Sequence, residues 1–164
     1  MKLGISYNYF EGGELLRYSI KQIRKHSHFI NVVFQDKSYF GHPYLQSNYD
    51  ELVKLKNDGL IDNIQMFQIS NYAKTPNEAK QLEMQKRNIG KRFLEDSGCT
   101  HFLDMDSDEF YKEEEFVNCK NEVQKQNYDY TSCKIYDYYH LPIYQMVGNP
   151  NIDVMFICKL IKGN

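Results

Sequence analysis

The sequence predicts an α/β domain in which a mainly parallel central sheet is flanked by helices. Three observations carry that expectation. Short apolar runs of strand character alternate with segments whose apolar residues recur at helical spacing, one run is apolar almost without interruption, and cap and turn residues stand at the boundaries between them. Strand, helix, strand repeats joined by right-handed crossovers build a parallel sheet.

Taken in order, Leu3 to Tyr7 is a short β-prone run, and after the Gly12-Gly13 break Leu16, Ile20 and Ile23 recur at the spacing of one helix face. Phe29 to Phe34 (FINVVF) is the uninterrupted run, as a strand covered on both faces requires. Ser47, with Asp50 three residues on, has the form of a capping box before Leu52, Val53 and Leu55, and Asp58-Gly59 supplies the stop. Ile64 to Ile69 (IQMFQI) is the third strand. Thr75-Pro76-Asn77-Glu78 then combines an N-cap, a proline at the first helical position and a glutamate at the third, the strongest helix start in the chain. Ala79, Leu82, Ile89 and Phe93 trace an apolar stripe along this helix, and Gly98 is placed to end it. Thr100 to Leu103 is the fourth strand. The expected strands therefore lie near residues 3–7, 29–35, 63–69 and 100–105. Beyond residue 112 a helix is expected near Glu113 to Gln126, a tyrosine-rich strand near Tyr128 to Tyr139, and a last strand near Asp153 to Ile161.

A chain of 164 residues and 19.6 kDa suits one domain, and no linker or repeat divides it. Charged residues make up 26% and the formal net charge is -2, so no nucleic-acid partner is expected. Cys99, Cys119, Cys133 and Cys158 lack the spacing of a zinc site or redox dithiol and read as reduced, mostly buried thiols. The five histidines, His26, His28, His42, His101 and His140, show no ligand spacing either, and His101 reads as a hydrogen-bonded core residue. The first apolar run is too short for a signal peptide or a membrane span. The expected location is cytoplasmic, with peripheral docking to a membrane left open.

The chemistry concentrates at Asp104-Met105-Asp106-Ser107-Asp108-Glu109, directly after the fourth strand. Each carboxylate raises the pKa of the next, so such a run is unfavourable unless a cation or hydrogen-bond donors neutralise it. All-oxygen ligands suit Mg²⁺, Mn²⁺ or Ca²⁺. A solvated acidic loop is the plain alternative. An EF-hand is another, because Asp104, Asp106, Asp108 and Glu115 fall on loop positions one, three, five and twelve, yet the sixth position holds Glu109 instead of glycine and no helix leads in. A phosphotransferring hydrolase of the haloacid dehalogenase type would place its aspartates on the first strand, which here ends in Ser6-Tyr7-Asn8.

Four segments in order carry a resemblance: Tyr7-Asn8, then Val32-Val33-Phe34-Gln35-Asp36-Lys37-Ser38, then Lys86-Arg87-Asn88-Ile89-Gly90, then Phe102-Leu103-Asp104-Met105-Asp106. Between Leu3 and about Tyr111 the chain resembles a family 2-type nucleotide-sugar glycosyltransferase of the Rossmann-like GT-A fold. Residues 1–111 would then be the nucleotide-sugar-binding half and 112–164 a short acceptor half of a single domain. Met105 to Phe110 is also similar to the DxDEF signature of relatives within that fold. The resemblance implies Mn²⁺ or Mg²⁺ on Asp106 and Asp108, or on Asp104 and Asp106 in the other register, with Asp104 otherwise near the ribose. It implies Tyr7 and Asn8 lining a nucleotide pocket, Asp36 accepting from base or ribose, and Arg87 on a phosphate. Lys86, next to Arg87 on the inner side of the helix, would face the same anion or snorkel to the surface. The implied donor is a nucleotide-diphosphate sugar, UDP-sugars first, and the implied acceptor a glycan or lipid-linked hydroxyl. The general base such transfer needs lies far downstream in that family. Asp137 and Asp153, the only aspartates after Asp129, have no motif around them.

Overall fold

The structure, a computed structural model, describes residues 1–138 and 152–161. Tyr139 and His140 lie outside the described residues. The strands are β1 (Leu3–Tyr9), β2 (Phe29–Phe34), β3 (Asn63–Met66), β4 (His101–Asp106), β5 (Ser132–Ile135), β6 (Ile152–Met155) and β7 (Cys158–Lys159). The helices are α1 (Gly13–Ile23), α2 (Gln46–Asn57), α3 (Pro76–Asp96) and α4 (Glu113–Gln126). The main sheet has the order β3-β2-β1-β4-β7, parallel throughout except for β7, which runs antiparallel to β4. The expected α/β architecture with a mostly parallel central sheet is what the chain adopts.

Strand alternation sorts the sequence onto two unlike faces. Leu3, Ile5, Tyr7 and Tyr9 of β1 join Ile30, Val32 and Phe34 of β2 and Leu103 and Met105 of β4 in one large apolar core. That core is sealed by Leu16, Ile20 and Ile23 of α1, Leu52 and Leu55 of α2, and Phe116 and Val123 of α4. The opposite face presents Gly4, Ser6 and Asn8 on β1 and Asn31 and Val33 on β2, with a smaller apolar cluster of Leu94, Cys99, Phe102 and Cys158 at one end, and α3 lies across it. A Cβ on Gly90 would collide with Ser6 Oγ and lie 3.2 Å from Val33 Cγ2; a Cβ on Gly4 would meet Leu94. α3 reaches the sheet so closely because both partners are stripped of bulk at the crossing.

The helix starts differ in origin. At α3, Thr75 accepts a hydrogen bond from Glu78 N and Pro76 follows, as expected, and Glu78 Oε2 accepts from Lys74 N at 2.6 Å. At α2 the N-cap is Leu45 with no side-chain bond, so the Ser47 and Asp50 pattern is not the cap. Asp50 instead accepts from Gln46 inside the helix. The apolar stripe expected on α3 also shifts. Lys86, Gly90 and Leu94 are its buried residues, while Ala79, Leu82, Ile89 and Phe93 flank them half-exposed. Over Ser6 and Asn8 the sheet face is small and polar, so the helix docks there through Gly90 and Lys86, while Leu94 joins the apolar cluster around Phe102.

Several strand boundaries depart from expectation: β1 runs on to Tyr9, and within the described residues the tyrosine-rich strand is confined to Ser132–Ile135. β3 stops at Met66 instead of Ile69, being a short edge strand; β4 extends through Asp106, so two of the acids belong to the strand itself. The last expected strand divides, β6 pairing with β5 in a separate antiparallel ribbon and β7 joining the main sheet, with Phe156 and Ile157 between them buried in the core. All four cysteines are free thiols; Cys99 and Cys158 are buried, whereas Cys119 is exposed. Among the described residues no helix is long and apolar enough to cross a membrane.

Candidate functional site

From β1 the chain steps outward to β2 and β3, then returns through α3 to β4 on the other side of β1. The strand order therefore reverses between β1 and β4, where a parallel sheet opens a crevice at its carboxyl ends. Asn8 and Asp106 face each other across it, paired in register, with Ser6 and Asp104 one step below. Because residues 104 and 106 are alternate residues of one strand, both carboxylates project toward α3. Asp108 lies beyond the strand in the turn closed by Glu109 N to Asp106 O, and is exposed. The two carboxylates that project from the strand toward α3 are thus Asp104 and Asp106, while the expected partner Asp108 stands in the turn.

Arg87 of α3 binds that pair. Its Nη1 donates to Asp104 Oδ2 at 2.9 Å, and its Nη2 to Asp106 Oδ1 and Oδ2 at 2.8 and 2.9 Å. Its Nε donates to Glu83 Oε1 one helical turn back, at 2.9 Å. Asn8 Nδ2 donates to Asp106 Oδ1 at 3.2 Å. The Asp104 side chain is only 9% exposed, and its Oδ1 is buried without a partner. Burial disfavours charge on Arg87, but Asp104 and Asp106 outweigh it and hold the guanidinium protonated. Burial likewise pushes the Asp104 carboxyl up, opposed by the Arg87 contact.

Lys86 is not at the surface. It is 1% exposed and its Nζ donates to Tyr9 O at 2.6 Å, tying α3 to the end of β1. Burial lowers its pKa to about 7, against the pull of Asp106. Tyr7 is also displaced from the expected pocket wall. Neighbouring residues of a strand point to opposite faces, so if Asn8 faces the crevice Tyr7 cannot. Its ring is fully buried and its hydroxyl meets Ser19 Oγ of α1 at 2.8 Å. Asp36, past the end of β2, is exposed, and its carbonyl accepts from Tyr44 N.

Two further residues stand at the crevice, one inside the acidic run but given no role of its own from the sequence and one not anticipated at all. Glu109 reaches back so that its Oε2 accepts from Asp106 N at 3.2 Å. Burial, and then the Asp106 charge, push its carboxyl up to about 7. Its backbone carbonyl accepts from Ser19 Oγ at 2.7 Å, and Ser107 Oγ donates to Glu11 O at 2.9 Å, so the acidic turn is braced by α1 and the loop before it. Gly12, at φ 82, starts α1 with its Cα hydrogen toward Ser107 Oγ, a conformation and a spacing that call for glycine. Tyr39 is the second residue. Its loop is pinned by the Lys37–Pro43 bridge and by Ala73 N to Tyr39 O, with Gly41 packed on the Tyr72 ring. Burial raises its phenol, with Glu83, Arg87 and Asn8 as neighbours. No periodicity marks a loop tyrosine; only the tertiary contact identifies it.

The remaining candidates lie elsewhere. His101 is 7% exposed, bonded through Nδ1 to Thr100 Oγ1 at 3.0 Å, as a core histidine would be. Asp137 and Asp153 are exposed, the latter on the β5–β6 ribbon opposite Lys134. The acids follow a strand instead of a helix, which removes the EF-hand reading. Among the described residues no three His, Cys, Asp or Glu side chains converge as a ready metal cage.

No family model and no curated protein matches the sequence. Among solved structures the chain is similar to S. aureus TarS. It is 15% identical to TarS 1-349 with a TM-score of 0.53, and 13% identical to TarS at the same TM-score. It is 14% identical to TarS 1-349 in complex with UDP, with a TM-score of 0.52. Each match covers 79% of this chain but only 34%, 21% and 34% of the other. The chain thus spans between 21% and 34% of the length of these neighbours and shares their fold over that part.

Proposed function

We propose that the β1–β4 crevice binds a nucleotide-diphosphate sugar and that the chain is the donor-binding part of a glycosyltransferase. A UDP-sugar is the favoured donor, and a glycan or lipid-linked hydroxyl the acceptor. The observation that supports this reading is placement: Asn8, Arg87, Asp104 and Asp106 gather where the strand order reverses, in a fold similar to one crystallised with UDP. Asn8 at the end of β1 and Asp36 past β2 would border the nucleotide, Tyr39 would close one side, and Arg87 supplies the cation for phosphate. Lys86 and Tyr7 act from beneath, as a tether and as core.

The oxygen-only donor set suits Mn²⁺ or Mg²⁺, and the unpartnered buried Oδ1 of Asp104 is an oxygen open to a further cation. Asp106 with Asp104 would hold such an ion, Asp108 being within reach only through the turn. When bound, it supplies positive charge against the diphosphate as the leaving group departs. Free thiols fit a reducing, cytoplasmic setting. Titration calorimetry of UDP with Mn²⁺ tests the reading. Binding is expected in wild type and at least about tenfold weaker, roughly 1.4 kcal/mol, in Asp106→Ala. Absence of UDP binding with and without metal overturns it, and equal affinity in the variant removes Asp106 from the site.

A further inference from the structure

Arg87 occupies the place of the cation that the acidic pair calls for. Asp104 and Asp106 together offer four carboxylate oxygens, and three of them accept from this one guanidinium at 2.8 to 2.9 Å. The fourth, Asp104 Oδ1, is buried and unpartnered on a side chain 9% exposed. Glu83 holds the guanidinium's remaining edge through Nε, so the fork is spanned between three carboxylates and has little left for a phosphate as it stands. An Mg²⁺ or Mn²⁺ ion on the same oxygens would need them at about 2.1 Å, which places it against the guanidinium, charge against charge in a half-buried crevice.

We propose that Arg87 and a divalent ion compete for Asp104 and Asp106, so that free metal is refused and is admitted only together with a diphosphate that accepts Arg87's donors. The competition follows from the shared oxygens alone; the diphosphate half rests on the donor-binding reading above. A diphosphate is the class of ligand that matches, because two anionic oxygens of one phosphate can accept the guanidinium fork bidentately, as a carboxylate does. The charge around Arg87 agrees: Glu83, Asp104, Asp106 and Glu109 gather near it, so a further cation is attracted once the guanidinium has another partner.

The test follows Mn²⁺ through loss of its free-ion paramagnetic resonance signal, first without and then with UDP, in wild type, Arg87→Gln and Arg87→Lys, each checked for folding by far-ultraviolet dichroism. Without nucleotide, Arg87→Gln should bind Mn²⁺ at least about tenfold more tightly than wild type, and the gain should vanish in Arg87→Gln/Asp106→Asn. Arg87→Lys keeps the charge that the buried carboxylates need, yet one ammonium cannot span both of them, so it should fall between the two even if Arg87→Gln folds poorly. With UDP, wild type should take up Mn²⁺ at concentrations where it takes up none alone. Equal Mn²⁺ affinity in wild type and both Arg87 variants overturns the competition. Mn²⁺ uptake by UDP-bound wild type no greater than without UDP overturns the coupling. Failure of UDP to bind wild type under any condition defeats the donor reading, while the nucleotide-free comparison still decides the competition.

Discussion

Lys86 and Glu109 are displaced by burial in opposite directions and meet near the same value, which separates their effects on stability by pH window. Lys86 falls from 10.5 to about 7 because burial penalises its ammonium. Between those values the unfolded chain holds the proton and the folded one does not, so stability rises with pH above about 7. Glu109 rises from 4.5 to about 7, first through burial and then through Asp106. Between those values the folded state holds the proton, so its contribution is complete below 4.5 and lost as pH climbs to about 7. Urea midpoints from pH 5 to 9 should show Glu109→Gln flattening the acid limb only and Lys86→Met the alkaline limb only; a variant that flattens neither limb refutes its assignment. At this scale residue type and order pointed to Arg87, Asn8 and the acidic run, but not to which two of its acids Arg87 joins. Tyr7 was not, because adjacent strand residues part to opposite faces and only the sheet's packing decides which face is core.

At the scale of elements, the two helix starts make a controlled contrast. Thr75→Ala removes a formed cap bond and should cost about 1 kcal/mol, whereas Ser47→Ala, at an exposed position that caps nothing, should stay within about 0.5 kcal/mol, both by urea denaturation. Equal losses would mean that α2 is capped by Ser47 after all. The crossing of α3 over β1 gives a second prediction. Gly90→Ala drives a methyl into Ser6 and should destabilise by about 1 to 3 kcal/mol. Ser6→Gly in the same chain should recover part of that loss, since it removes the Oγ and the Cβ 3.0 Å away; purely additive losses would place the strain elsewhere. Gly90 stood in plain view beside Arg87 and Asn88, but its meaning depends on a partner 84 positions earlier in the chain. The buried line of α3 was misread for the same reason: where the surface opposite is small and polar, as over Ser6 and Asn8, apolar periodicity does not locate a helix's inner face.

For the molecule as a whole, the far side of β4 is closed by the returning chain, where Ile157 is fully buried in the main core just ahead of β7. Ile157→Ala should therefore cost about 2 to 5 kcal/mol and lower the unfolding midpoint with the slope unchanged, because the cavity opens in the core that all four helices but α3 share. A loss below about 0.5 kcal/mol would show that this segment is not part of the cooperative unit. The amino-acid sequence by itself determined the alternation of strands and helices, the parallel sheet, the start of α3 and the acidic run after the fourth strand. Those features are written in local signals, namely period, cap residues and charge spacing, each read within a dozen positions. The tertiary structure alone decided that Asp104 and Asp106 form the pair, that Arg87 holds them, that Lys86 turns inward to Tyr9, and that Tyr39 and Glu109 join the crevice. These depend on which face of each strand meets α3, and that is set by packing between segments far apart in the chain, where a one-residue change of parity would have aimed different side chains at the same place.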